Sequence, residues 1–561
     1  MLVIAEKPSV AKAIRLAIKP SPSVIALKGH VLELDFPERY SNWRHVDPRE
    51  LFSAPVEWRV RDPETYRNLV NAIRGADMLI LATDNDSEGE LIAYEILLIA
   101  KKVLGTTPRY GRMRFNAATP SELRRAWDNI EPDLKWNWVW KALLRHKFDL
   151  ITGAAYTRLL TLSKRLSNDG NLISWGSCQM PTLWFVYRRE KEIRDFKPEK
   201  YYVVSAVLDV HGVKIKVSTE PLKDLVKARH LYDAAKGAKH AAVTIFQLRD
   251  EVDHKPLPTD TDTMLQELSK IMGLSAAKIM GFAEALYGDG YISYPRTETN
   301  MWLTVDHRTV LAMLSSTPLA KYVNIVSFSP RDGKKNDGAH PPIYPTAYYP
   351  NSLDEKYRVW EYVAKRYLAN VVGKDAVLRR WKLNVDLNGA QMNATGKYFV
   401  EEGFYKIFPY FKPKDIVWLP DLRIGEKLPI IKVSLEEKKT KPPPRLTESE
   451  LLRLLEEHSI GTDATRADYP EIIVERGYAE KKKKSFYMSA LGETLVNLLK
   501  EVDERLVSPD TRRYVEHLMT EVEAGKIDLE RALQEALKIY GELFEKVSTK
   551  LRLRGANPIN R

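Results

Sequence analysis

Cysteine is almost absent: Cys178 is the single one in 561 residues. A disulfide within the chain and a multi-cysteine zinc ribbon are both excluded from this sequence. Set in Gly176-Ser177-Cys178-Gln179, the thiol reads as a small buried residue rather than a reactive one. Long apolar runs are also missing. The longest, near Leu91–Ala100, is too short to span a bilayer, and no charged-then-apolar leader opens the sequence. A cytoplasmic protein with no membrane partner is expected. No Walker A loop is present: from Gly389 to Gly396-Lys397 the spacing is wrong, and Tyr398 stands where Ser or Thr is needed. Chemistry driven by ATP is therefore not expected of this chain. Internal repeats and low-complexity tracts are lacking too.

What is present describes a folded, basic, multidomain chain. The length exceeds what one core supports, and roughly three to five domains or subdomains are expected. Hydrophobic residues make up 44% and charged residues 29%, which suits a folded protein. A formal charge of +12 points to a polyanionic partner, either nucleic acid or an anionic surface. The 12 Trp and 27 Tyr supply rings that either pack in cores or stack on unpaired bases.

The densest chemistry lies in Leu79-Ile80-Leu81-Ala82-Thr83-Asp84-Asn85-Asp86-Ser87-Glu88-Gly89. An apolar run of strand length empties into three acids at alternate positions, with a helical pattern behind them. In extended backbone, residues i and i+2 share a face. Asp84, Asp86 and, where the extension persists, Glu88 then converge at the end of a buried strand. Crowded carboxylates repel unless a cation lies between them, and all-oxygen ligation suits Mg²⁺. The competing reading is a solvated acidic turn that caps the next helix. The surroundings favour the first. Leu2-Val3-Ile4 reads as a strand, Val10–Ile18 as a helix, Met78–Ala82 as a second strand followed by a helix to about Leu104, and Arg112–Phe115 as a third strand. Thr119-Pro120-Ser121-Glu122 has the form of a capping box. Alternating strands and helices imply a largely parallel sheet that binds ligands beyond the carboxyl ends of its strands. Glu6-Lys7 and the acids both fall at such ends.

Further on, Trp136 to Arg194 is helical and Tyr201–Lys216 alternates as a strand. Pro256–Thr259 marks a joint, and helices are expected at Asp262–Met272 and Ser275–Tyr287. A β-rich stretch covers Lys382–Val433, and Lys438–Arg445 reads as a basic, proline-rich linker. A capping box at Thr447–Glu450 opens a helix, a second helix starts near Ala464, and Tyr478–Met488 reads as a hairpin tipped by Lys481 to Lys484. Two helices with a basic hairpin resemble a winged helix.

With these segments in view, the chain resembles the type IA DNA topoisomerases. Ser293-Tyr294-Pro295-Arg296-Thr297-Glu298-Thr299 is similar to that family's active-site tyrosine segment, and Gly338-Ala339-His340-Pro341-Pro342-Ile343 to its histidine segment. Gly461-Thr462-Asp463-Ala464-Thr465-Arg466 resembles a late DNA-contacting motif. Gly29-His30-Val31 and Arg145 through Asp149 to Gly153 fit as well. Ile173-Ser174-Trp175-Gly176-Ser177-Cys178-Gln179 looks like the archaeal and eukaryotic topoisomerase III branch. Ser177 stands where bacterial topoisomerase I-like members carry arginine.

The resemblance implies a multidomain α/β plus α+β fold: a Rossmann-like Toprim domain on a toroidal core with winged-helix-like parts. Domains are expected at 1–135 (Toprim), 136–198 with 439–561 (helical DNA-binding base), 199–255 with 345–438 (β-rich arch) and 256–344 (active-site tyrosine). It implies that Tyr294 attacks one DNA strand to give a 5′-phosphotyrosine and a free 3′-hydroxyl. The link stores the broken bond's energy, so resealing needs no ATP. Lys7 is expected to stabilise charge on the phosphoryl oxygens, and Arg296 to offer its fork to the phosphate. His340 is expected to contact the scissile phosphate or orient an acid. Glu6 either protonates the leaving 3′-oxygen or joins Asp84, Asp86 and Glu88 in holding one or two Mg²⁺. Arg114, Arg145, Arg158, Ser177, Gln179, Ser459, Thr462, Thr465 and Arg466 are the expected DNA contacts. Opening of the gate is expected to hinge near Pro256–Thr259 and Ser327–Asp337. The implied substrates are single-stranded and negatively supercoiled DNA, for relaxation and decatenation. A helicase is the implied partner, with a monomeric, nucleoid-associated enzyme and no zinc. The rivals are a Toprim nuclease or primase, a non-catalytic DNA scaffold, and the topoisomerase subunit of a split reverse gyrase.

Overall fold

The computed structural model describes residues 1–163, 172–302, 305–462 and 465–553. At the N-terminus, four parallel strands stand in the order Ser23–Ala26, Leu2–Ala5, Met78–Ala82, Arg109–Arg112. The two central strands are apolar without alternation, because helices cover both faces of the sheet. Their register pairs Ala5 with Ala82, so Glu6 and Thr83-Asp84 leave the sheet side by side. The third expected strand is displaced, running over Arg109–Arg112 instead of Arg112–Phe115. Pairing with Met78–Leu81 selects the polar Arg-Tyr-Gly-Arg segment, while Met113 and Phe115 are buried just beyond it. Of the box at Thr119, only half forms: Thr119 caps Glu122, but the Glu122 carboxylate accepts from the Asn116 amide.

Six strands close a barrel in the order Ala376–Leu387, Ala390–Glu401, Val213–Ser218, Lys200–Val210, Lys427–Lys439, His240–Asp253. The segment expected as one strand over Tyr201–Lys216 is a hairpin. His211 (φ 51) and Gly212 (φ 90) turn the chain between its two strands. The expected linker at Lys438 starts later, since Lys439 still pairs with Lys200.

The helical base joins Trp136–Leu162 and Gln179–Asp195 with the helices after Arg445 in one core. The capping box at Thr447 is complete, and Ala479–Lys482 pairs with Ser485–Met488 around a turn at Lys483 (φ 56). The helix start expected near Ala464, like Asp463 beside it, lies outside the described residues; the helix described there is Tyr469–Glu475. No helix among the described residues is long and apolar enough to cross a membrane.

Thr261–Met272 and Ala276–Gly288 share a core with Glu355–Val371 and with Val3, Ile80 and Phe115 of the N-terminal sheet. Glu355–Val371 packs with the tyrosine segment, beyond the expected boundary at residue 344. That body lies closed on the sheet, with its apolar face buried there.

Candidate active site

Each half of the site grows from an element end. Glu6 ends a central strand, and Lys7 stands at the N-cap of the helix Pro8–Ala17. Asp84 follows the other central strand. Asp86 caps the helix Ser87–Leu104, its Oδ1 accepting from the Gly89 amide at 2.7 Å. Gly89 is required there, since a Cβ would meet the Asp84 carbonyl oxygen at 2.0 Å. The extension that alternation demanded ends at Asp86. Glu88 is already helical, and its carboxylate is held by Arg145 (2.8 Å) and His146 (2.8 Å), with His30 at 3.3 Å. The structure therefore does not bring three alternate acids together; it brings Glu6, Asp84 and Asp86.

Their oxygens are densely partnered. Lys7 Nζ donates to Asp84 Oδ2 at 2.8 Å and lies 3.8 Å from Glu6 Oε1, whose other oxygen accepts from the Asp84 amide at 2.9 Å. Burial, and then the charge of Asp84, push the Glu6 carboxyl up to about 8. For Lys7 burial works the other way, but Asp84 and Glu6 outweigh it and raise the ammonium. Glu6 is thus a neutral acid at pH 7, and Lys7 a fixed cation.

The opposite half comes from beyond residue 280. Tyr294 is buried, its amide donates to Asn116 O, and its hydroxyl donates to Asp86 Oδ2. The Tyr287 hydroxyl donates to Asp84 Oδ1 at 3.2 Å. Its ring meets Tyr294 edge-on at 5.0 Å, and His340 lies 4.6 Å from Tyr294 on another side. Burial first, then Asp86 and Asp84, raise the Tyr294 phenol well above its ordinary value, against Arg296. Arg296 is not aimed at an open phosphate site: Nε and Nη2 donate to Glu284 at 2.8 and 2.5 Å. His340 Nδ1 lies 3.4 Å from Asp337, while its buried Nε2 has no hydrogen-bond partner. That ring borders a cavity of about 520 Å³ also lined by Asp86, Asp262, Ser459, Thr462 and Arg466.

The other expected DNA contacts divide. Ser459, Thr462 and Arg466 reach the cavity, and Thr465 Oγ1 accepts from the Thr462 amide. Arg466 is bonded to Asp262 and to the carbonyls of Ile460 and Gly461. Ser177 is turned inward between Asp149 (2.9 Å) and Arg512 (2.7 Å). Gln179 is buried against Ser174, and Arg114 is bound by Glu90 and Glu131. Arg158 donates to Tyr40 O and lies over Trp43, and Arg145 holds Glu88. In this closed form each of these five has a protein partner. Tyr287, Asn116 and Glu284 were missed. Buried Tyr287 carries no sequence signal separating it from core, and part-exposed Asn116 and Glu284 none separating them from surface polar residues.

The acid set fits a hard dication. Glu6, Asp84 and Asp86 supply only oxygen, the donor type such an ion takes, and burial followed by the charge of Asp84 holds the Glu6 carboxyl up.

Residues 1–118 match the family model of the Toprim domain, a domain that typically binds Mg²⁺, and residues 133–534 match that of DNA topoisomerase. The chain belongs to the type IA DNA topoisomerases, which are isomerases acting on DNA. It is 35% identical to DNA topoisomerase 1 of Archaeoglobus fulgidus over 91% of this chain and 77% of that one. To DNA topoisomerase 3 of Candidozyma auris it is 31% identical, covering 93% and 86%. Arabidopsis thaliana DNA topoisomerase 3-beta is 31% identical, covering 97% and 67%. The solved full-length topoisomerase I of Thermotoga maritima superposes with a TM-score of 0.78 over 97% of this chain and 90% of that one. At 24% identity it shares the fold, a type IA toroid with its N-terminal Toprim domain.

Proposed function

We propose that Tyr294 is the nucleophile of this topoisomerase and that Glu6, Lys7, Asp84 and Asp86 are its charge-handling partners. The single observation carrying this reading is the Tyr294 hydroxyl hydrogen-bonded to Asp86, on the same site as the Lys7 ammonium paired with Asp84 and Glu6.

The phenolic oxygen attacks the phosphorus of one strand, and the bond from phosphorus to the 3′-oxygen breaks. The phenol's proton passes to the Asp86 carboxylate that already accepts its hydrogen bond. Glu6, neutral at pH 7, gives a proton to the departing 3′-oxygen. Lys7 faces the negative charge on the phosphoryl oxygens. Arg296, fixed by Glu284, lowers the cost of ionising Tyr294, and the vacant Nε2 of His340 is a donor or acceptor for the phosphate. Burial around the pair excludes water, which separates this transfer from nuclease action. Resealing runs the same steps backward. Asp84 and Asp86 would hold one or two Mg²⁺, which would supply charge neutralisation and placement of the 3′ end, while Glu6 remains the proton donor.

Single-stranded and negatively supercoiled DNA are the substrates, relaxed and decatenated without ATP. The enzyme works as a monomer at the nucleoid in the cytoplasm, with a helicase partner feeding it unpaired strands. Ser459, Thr462, Thr465 and Arg466 contact the DNA backbone at the rim of the cavity. The domains divide at 1–135, 136–198 with 439–561, and the barrel, with the tyrosine body running from 256 to about 371.

The test is negatively supercoiled plasmid with wild type and Tyr294→Phe, with and without Mg²⁺ and ATP. Stepwise relaxation by wild type alone, with Mg²⁺ and independent of ATP, is expected. Activity retained by Y294F favours a nuclease. A requirement for ATP and an added helicase favours the split reverse gyrase.

A further inference from the structure

We propose that His30, Glu88 and His146 form a second cation site, separate from the acid pocket, that takes a transition-metal dication of the Zn²⁺ or Co²⁺ kind rather than Mg²⁺. Three elements meet there: the loop after the strand Ser23–Ala26, the helix Ser87–Leu104 and the helix Trp136–Leu162. His146 Nε2 lies 2.8 Å and His30 Nε2 3.3 Å from the same oxygen, Glu88 Oε2. One donor atom from each residue falls within 4.8 Å of the others. Among the described residues this is the group of three such ligands that converges so closely.

The atoms facing away are held as well. His30 Nδ1 is 2.6 Å from Glu95 Oε1, and the other Glu95 oxygen accepts from the amides of Val31 (3.1 Å) and Leu32 (3.0 Å). Glu88 and Glu95 are seven apart on one helix, two turns along one face. Glu88 Oε1 is occupied by Arg145 at 2.8 Å, leaving Oε2 to the two imidazoles. A carboxylate behind a ligating histidine and a donor behind a ligating carboxylate are the outer partners that fix metal ligands.

Donor type decides the ion. Two imidazole nitrogens and one carboxylate oxygen suit Zn²⁺, Co²⁺ or similar ions, with a fourth position left open, whereas Mg²⁺ prefers oxygen throughout. A small cavity of about 40 Å³ borders Glu88 and Arg145, and is lined also by Asp86, Lys141 and Thr462.

The competitor is a proton. Burial lowers the His30 imidazolium, but the hydrogen bonds to Glu88 and Glu95 lift it to about 10. Those nitrogen electrons serve a metal equally, so binding would release the proton. Arg145 Nη2 also lies 3.3 Å from His146 Nε2, a contact the ion must displace. With neutral imidazoles, the carboxylates of Glu88 and Glu95 exceed Arg145 by one negative charge, which favours the ion. Bound there, it would tie the N-terminus of the helix that carries Asp86 to the helical base.

The experiment titrates metal-free full-length protein with Co²⁺ and follows its visible d–d absorption, before any DNA is added. One equivalent is expected to give a low-symmetry band that survives excess Mg²⁺ and the D84N/D86N double substitution. The band is expected to vanish in H30Q/H146Q and in the single variant H146Q, whose side chain is partly exposed and outside the hydrophobic cores. Glu95→Gln should weaken binding by roughly 10–100-fold. Absence of a band, or its persistence in H30Q/H146Q, overturns the proposal. A band lost in D84N/D86N, or competed away by Mg²⁺, also overturns it, by placing the ion in the acid pocket. None of these outcomes bears on Tyr294, whose role is read from the covalent DNA adduct.

Discussion

The hydroxyl of Tyr294 donates to the carboxylate of Asp86 across 208 positions of sequence. Tyr294 and the acids therefore meet only because the tyrosine body is closed on the N-terminal sheet. With Tyr294 3% exposed, a DNA strand reaches it only by replacing that contact. Asn85 lies along the same seam, 3.2 Å from Asn116 and 3.4 Å from the Ala339 carbonyl.

Tyr287 couples the two halves a second time, through Asp84. Hydrogen bonds to charged groups contribute about 1.5–3 kcal/mol, so Tyr287→Phe is expected to slow adduct formation roughly 10-fold or more. The secondary structure should be unchanged. Covalent-complex assays on single-stranded DNA check this; wild-type rates in Y287F would reduce Tyr287 to packing.

Lys7 is the cation nearest both Glu6 and Asp84. Lys7→Ala should lower cleavage by roughly 10²–10³-fold, the scale for losing one donor to transition-state charge. Lys7→Arg should restore part of it. Single-turnover cleavage in Mg²⁺ decides, and a K7A rate within a factor of about two of wild type would refute the role.

Gly89→Ala would place a methyl group 2.0 Å from the Asp84 carbonyl oxygen. The turn carrying Asp84 and Asp86 must then shift, at about 3 kcal/mol of stability. Urea unfolding of G89A measures the loss, and relaxation should fall with it because both acids move. An unchanged midpoint would mean that the turn yields freely.

Asp262 is pushed up to about 6, by burial first, against the pull of Arg466. An acid whose pKa is higher folded than unfolded takes up a proton on folding. Its stabilisation is complete below the unfolded value of 3.8 and is lost as pH rises through about 6. The effect is bounded at about 3 kcal/mol. Chemical denaturation between pH 4 and pH 7 should show a shallower decline in Asp262→Asn than in wild type. Equal slopes would assign that pH dependence to other groups.

Local pattern was enough to read several elements. Met78–Ala82, the helix ending at Leu104 and the Thr447 capping box follow from burial on two faces, helical period and side-chain-to-amide geometry. The same logic failed at Glu88. Strand alternation cannot see that Asp86 caps a helix, which rotates the next acid away toward His30 and His146. It failed again at Tyr201–Lys216, where the alternating pattern continues through a two-residue turn.

By itself the sequence determined the chemistry available: strand-end acids beside a lysine, a tyrosine motif, and one cysteine too few for a disulfide. Only the tertiary structure decided which groups meet. Tyr287 reached Asp84, Arg296 turned to Glu284, and Ser177 and Gln179 went inside. The reason is that a side chain's partner is set by which buried faces pack together, and that packing joins residues hundreds of positions apart that no local period connects.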